Sequence, residues 1–241
     1  MFREGFPGVC ILLKITYRGT FVAAITYAAA VWFRKVNYHV VRSELLRAQR
    51  PALILMTKAY RSTSTHALPV LAGVLPADLE VVRRGEVDIE RESKTNTEIS
   101  AIFTKSTEKI YEIWQERWEG APEGKELYSF FPDIRERMNN DTIEPDYVSS
   151  QMPTGHGCFR KRLYDMKLSE RKDCDCGWNE ETRDHVLWHC PLYDDERKMM
   201  DALEYTTIGP VHFADLTSTR GNFYAFRGFC KGWHVKRSMI K

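Results

Sequence analysis

At 241 residues, with 43% apolar and 28% charged, the chain can bury a core as one large domain or two small ones, and its composition is that of an ordinary globular protein. A net charge of +2 excludes naming a charged partner from the total alone. Six cysteines are too few for a dense disulfide framework at this length, so clustered Cys and His read as metal ligands.

The predicted elements are helices throughout, and the fold class is mainly α. Lys14 and Arg18 interrupt the apolar N-terminus, and Pro7 and Gly8 break any leader h-region after Met1-Phe2-Arg3-Glu4. The charge-free run from Gly19 to Phe33 is shorter than the roughly 20 residues that span a bilayer, so no membrane insertion is expected. Residues 20–35 are apolar on most sides and predict a buried helix. A second helix covers 38–49, and Pro51 suits the first position of a third. Ser64 caps a short helix that Gly73 closes, and Pro76-Ala77-Asp78 opens another through about Arg91. From Thr97 to Glu119 an acidic amphipathic helix gathers Ile99, Ile102, Phe103, Ile110, Ile113, Trp114 and Trp118 on one face. Pro122, Gly124, Asn139-Asn140-Asp141 and Pro145 mark 119–152 as the expected linker. Further helices are expected from Gly157 to about Met166, over 182–189 and from Pro191 to Tyr205. The segment from Arg220 to Lys241 has basic residues and no acidic ones, with Phe223, Phe226, Phe229, Cys230 and Trp233 at helical spacing.

The chemistry concentrates at Cys174-x-Cys176-x8-His185-x4-Cys190, a Cys3His set of the kind that closes around structural zinc. Extended backbone points residues i and i+2 to one side, Gly177 can take the tight turn that follows, and Thr182 can cap the helical turn carrying His185. Pro191 cannot continue that turn, and His189 competes with Cys190 for the fourth position. A closed site leaves no coordination position for catalysis; zinc would couple metal binding to folding.

Around this motif Arg160, Lys161, Arg162, Lys167, Arg171 and Lys172, and in the tail Lys231, Lys236 and Arg237, are candidate phosphate contacts for RNA or DNA. Tyr164 and Trp178 can stack on unpaired bases, whereas Trp188 reads as core. No catalytic residue is expected. Phe213-Ala214-Asp215-Leu216 lacks the second carboxylate of a two-metal site, and Asp194-Asp195 suit the first turn of a helix. His156 beside Cys158 lacks an orienting third group, and the Thr154-Gly155-His156-Gly157 turn is expected to pack against the metal loop.

Those residues carry a resemblance. Thr154-Gly155-His156-Gly157 with Phe159 and Leu163, Cys174-x-Cys176-Gly177, Glu181-Thr182, His185-Val186-Leu187, Cys190-Pro191 and Arg197 resemble the C-terminal CCHC zinc knuckle of non-LTR (LINE-like) retrotransposon reverse transcriptases, insect type. Upstream, Tyr27-Ala28-Ala29 with Trp32, Gln49-Arg50, Ala59-Tyr60-Arg61-Ser62-Thr63-Ser64 and Ala67 to Gly73 with Pro76 resemble the segment after the polymerase palm. The resemblance implies a thumb-like region over 1–95, an acidic connector and linker over 96–150, a zinc-knuckle module over 151–205 and a basic C-terminal helix over 206–241. It also implies a fragment without endonuclease or palm, intracellular in cytoplasm and nucleus. Such a fragment binds RNA or DNA through zinc and is inactive as a polymerase unless a palm-bearing chain joins it. The alternative is a helical protein–protein adaptor in which zinc only staples the fold.

Overall fold

The computed structural model describes residues 9–92, 94–205 and 210–239. The leader reading on Met1 to Gly8, and Lys241 in the basic tail, lie outside the described residues. Among those described, the ordered elements are helical and none is a strand. No described helix is long and apolar enough to cross a membrane.

The chain divides into two compact units, one of residues 1–57, 64–123 and 133–139, the other of 58–63, 124–132 and 140–241. The acidic helix belongs to the first unit instead of forming a connector, and the basic tail shares the second unit with the metal loop.

In the first unit, α1 (Val9–Tyr17) leads through π-helical and α-helical turns to Ile25. The single buried helix expected over 20–35 breaks at Ala28, whose φ is +50°. Tyr27 and Val31 stay exposed, while Ala29 packs with Val36 and Val81. At the break the Trp32 indole N–H donates to the Tyr27 carbonyl at 3.1 Å, which satisfies a carbonyl the interrupted helix leaves open.

The second and third expected helices are one, α2 (His39–Thr57), with Pro51 inside it. Gln49, Leu53 and Met56 are buried along α2, and Pro51 lies on the exposed side, where water can take the carbonyl it deprives of a donor. Gln49 itself is a polar core junction: its amide donates to the Tyr17 hydroxyl at 2.7 Å and the Leu75 carbonyl at 2.8 Å, and accepts from the Ala77 N–H at 2.9 Å. A buried amide is tolerable only when satisfied in this way.

Ser64 and Gly73 bound α3 (Ala67–Ala72) as expected, the Ser64 carbonyl accepting from Ala67 and Leu68 and Gly73 closing it at φ +64°. The Arg137 guanidinium fills the space a Cβ on Gly73 would need, and donates to the Leu71 carbonyl at 2.8 Å. α4 (Ala77–Glu90) packs against α5 (Asn96–Gly120). A capping box of Thr95 and Glu98 starts α5, and Ile110, Trp114 and Trp118 are its buried stripe.

Residues 119–152 are not a loose linker. Leu127, Phe130, Phe131, Ile134, Ile143 and Met152 are all buried, and the Pro and Asn punctuation makes tight turns between packed anchors. In the second unit the Asp146 carboxylate accepts from the Val148 and Ser149 N–H groups at 3.0 and 2.8 Å, and Arg227 clamps it at 2.7 Å. Burial pushes the Asp146 carboxyl upward, and those donors more than reverse it, holding its pKa below the ordinary value. That unit's core stripe is Phe223, Phe226, Phe229, Cys230 and Trp233 on the terminal helix, Arg220–Met239, with Phe159 stacked on Trp233 at 5.1 Å.

Candidate metal centre

Cys174, Cys176, His185 and Cys190 present ligand atoms that all lie within 4.8 Å of one another. Local structure explains the convergence. The Cys174 N–H donates to the Trp178 carbonyl at 2.8 Å and the Gly177 N–H to the Cys174 carbonyl at 3.0 Å, a tight turn with Gly177 at φ +92°. On the other side a π-helical turn, His185–His189, is capped where expected: the Thr182 hydroxyl accepts from the His185 N–H at 3.1 Å. It closes with the Cys190 N–H on the His185 carbonyl at 2.7 Å. Arg197 ties this turn down, donating to the Val186 and Leu187 carbonyls at 3.0 and 2.7 Å and also to that of Cys190.

The fit to zinc can be tested on distances. Ligands about 2.3 Å (S) and 2.0 Å (N) from a tetrahedral ion stand roughly 3.5–3.8 Å apart. The Cys174 and Cys190 sulfurs are 3.6 Å apart, and the Cys176 sulfur is 3.2 Å from His185 Nε2. A disulfide would need about 2.05 Å; these cysteines are free thiols. Burial pushes the Cys174 and Cys190 thiols up, offset in part by the backbone N–H groups of Cys176 and Leu192, and burial pushes the His185 imidazole down. A dication reverses that cost by holding thiolates. The donor set is one that can hold a metal ion, the Cys174–Cys190 separation falls in that range and the Cys176–His185 separation is shorter, with Cys190 inside the cluster and His189 exposed outside it. Sequence reasoning missed the positioning residue: Trp178, 59% exposed, lies parallel to the His185 ring at 5.6 Å and 7°.

Several expected phosphate contacts are engaged within the protein. Arg160 pairs with Asp175 and Glu181, Lys161 with Asp165, Arg171 with Asp173, and Lys172 with Glu180. In the tail, Lys236 pairs with Glu196 and Arg237 with Glu181. Glu181 is 2% exposed and also accepts from the Arg160 N–H at 3.3 Å, so it joins the metal loop to the terminal helix. Arg162, Lys167 and Lys231 have no carboxylate partner among the described residues. Spacing alone could not separate these groups, because the carboxylates that neutralise Arg160 and Arg237 are remote in sequence.

Tyr164 is half-exposed, and Trp188, expected in the core, is only partly buried and packs edge-on against Phe213 at 5.5 Å. Asp215 accepts from the His212 N–H at 2.7 Å, a capping role, and Asp194–Arg197 begins with the paired acids as expected. The Thr154–Gly157 turn packs against Ser62 and Glu126, not against the metal loop.

The comparisons agree in kind. The chain is 34% identical over 202 residues to the Retrovirus-related Pol polyprotein from type-1 retrotransposable element R1 4 of Nasonia vitripennis, covering 77% of the chain and 50% of that protein. To the R1 2 polyprotein of the same wasp it is 31% identical over 198 residues, 77% of the chain and 48% of that protein. To the R1 polyprotein of Bradysia coprophila it is 29% identical over 249 aligned positions, 98% of the chain and 24% of that protein. The chain thus spans about half the length of the wasp relatives and about a quarter of the gnat one. No family model and no solved structure matches it.

Proposed function

Because the chain is homologous over most of its length to the Pol polyproteins of insect R1 retrotransposable elements, we propose that it is a C-terminal segment of a non-LTR reverse transcriptase polyprotein whose single zinc builds a module for holding RNA or DNA. The observation that carries this reading is the convergence of the ligand atoms of Cys174, Cys176, His185 and Cys190 to within 4.8 Å of one another. When bound, zinc supplies no chemistry beyond structure, because four protein ligands close its shell. This chain's own residues do the rest: Gly177 turns the loop, Thr182 and Arg197 fix the helical turn, and Trp178 orients the imidazole. Phosphodiester synthesis needs paired carboxylates that Asp215 and Leu216 do not provide, so this motif is not read as a polymerase centre. The similarity to retrotransposon Pol polyproteins supports an intracellular setting for such a module.

A second reading is favoured by a specific observation. The ion pairs of Arg160, Lys161, Arg171, Lys172, Lys236 and Arg237 suit an adaptor in which zinc only staples the fold.

One experiment separates the two. Metal content is measured by native mass spectrometry for the wild type and Cys176→Ser, and both are titrated with single-stranded RNA and DNA over a salt series. One zinc per chain, absent from the variant, with binding that falls steeply with salt supports the first reading. Zinc without nucleic-acid binding at any salt supports the adaptor.

A further inference from the structure

We propose that Arg162, Ser62 and His156 form a phosphate site on the second unit, taking a phosphodiester oxygen of a nucleic-acid backbone; it rests on the nucleic-acid reading above and deepens it. The residues come from two separate stretches of the chain, 58–63 and the Thr154–Gly157 turn with the helix Arg160–Asp165 that follows, all within one unit. Neither the metal centre nor the core accounts for their arrangement.

Arg162 differs from its neighbours. Arg160 and Lys161, adjacent on the same helix, each have carboxylate partners; Arg162 has none among the described residues. Its Nε is buried without an acceptor. One terminal nitrogen stands 3.4 Å from both His156 ring nitrogens. An in-plane bond would bring it near one nitrogen and leave it far from the other, so the guanidinium lies over the ring. A cation held against a ring that carries no compensating charge keeps strong donors for an anion. Burial, followed by the Arg162 charge, depresses the His156 pKa, with Glu126 opposing, so the ring is neutral at pH 7.

On its edge the ring meets Ser62, with Nδ1 2.8 Å from the hydroxyl oxygen. With the ring proton on Nδ1, the imidazole donates to Ser62 Oγ and leaves the Ser62 O–H to donate outward. Ser62 is exposed, as are Lys58 and Arg61 beside it, and Arg162 is partly exposed, so an extended polyanion can reach the hydroxyl with the Arg162 guanidinium one ring away. Glu126 packs over Gly155 and is the carboxylate such a ligand must approach. Monodentate Lys cannot reproduce the planar guanidinium donors, which makes Arg162→Lys informative.

The test uses the zinc-loaded full chain. Inorganic phosphate is titrated while the His156 ring resonances are followed by NMR, in wild type, Arg162→Ala, Arg162→Lys and Ser62→Ala; zinc content and melting temperature check each fold. A saturable shift in wild type, weakened at least tenfold in Arg162→Ala and partly retained in Arg162→Lys and Ser62→Ala, supports the site. A single-stranded oligonucleotide arm then distinguishes sources: Arg162→Ala lowers the salt slope by about 0.7, the increment for one single-strand phosphate. No phosphate-dependent shift in wild type, or the same shift in a folded Arg162→Ala, overturns the site. If phosphate binds at His156 while oligonucleotides do not, the site stands and the nucleic-acid reading fails. If oligonucleotides bind with an unchanged slope in Arg162→Ala, the reading stands and the backbone contact fails.

Discussion

His185 turns Nε2 toward Cys176 and buries Nδ1 without a hydrogen-bond partner among the described residues. A ligating imidazole is usually aimed by a bond to its other nitrogen; here the flat contact with Trp178 takes that part. Trp178→Ala therefore keeps all four ligands and loses zinc faster, on the order of tenfold in a chelator-competition assay, with Trp178→Phe restoring most of the retention. Equal release rates for Trp178→Ala and wild type would leave Trp178 without this role. The clustering of Cys174, Cys176, His185 and Cys190 was legible from spacing because i, i+2 and one helical turn are local geometry. Trp178 over His185 was not, since nothing in Cys-Gly-Trp says which way the indole folds back. Arg197, noticed only as part of a family pattern, proves to tie three carbonyls together, and Arg197→Ala should lower stability by about 1–3 kcal/mol in chemical denaturation.

Among elements, caps and punctuation were readable and breaks were not. Ser64 and Gly73 bound their helix because cap chemistry is written within a few residues. The capping box on α5 is equally local: Thr95→Ala should cost about 1 kcal/mol, measurable as a shift in denaturation midpoint with unchanged m-value. Ala28 at φ +50° and Pro51 within α2 went the other way. In both, burial on one face (Ala29 against Val81, and Leu53 with Met56) outweighed the local preference, and such packing partners cannot be read from a window of sequence. Gly85 is a further example. A Cβ there would stand 2.5 Å from the Phe33 ring, so Gly85→Ala should destabilise by roughly 1–3 kcal/mol despite improving helix propensity.

At the scale of the whole molecule, the mainly helical class was legible from apolar periodicity, whereas the division into units was not. Segments 58–63 and 124–132 join the second unit through contacts made far along the chain. Within that unit Asp146 makes a further long-range contact, with Arg227, and its depressed pKa fixes a sign. A carboxyl whose folded pKa lies below its unfolded value contributes stability above about 3.9, and that contribution is lost as pH falls through the folded value. Asp146→Asn should thus be less stable than wild type near pH 7 by roughly 1–2 kcal/mol, allowing for its partial exposure, with the gap closing in acid. A gap that widened below pH 4 would contradict the assignment. Metal removal offers a complementary check. Chelation should strip hydrogen-exchange protection from 172–197 and then from the terminal helix, with α4 and α5 as the internal reference.

Glu181 has a consequence for inheritance. Its carboxylate is nearly out of water and held by Arg160 and, from near the end of the described chain, by Arg237. Loss of the Arg237 guanidinium would leave that acid beside the metal loop with Arg160 alone, at a cost of up to about 3–5 kcal/mol for an under-compensated buried charge. Related sequences should accordingly tolerate change at exposed Lys167 better than at Arg237.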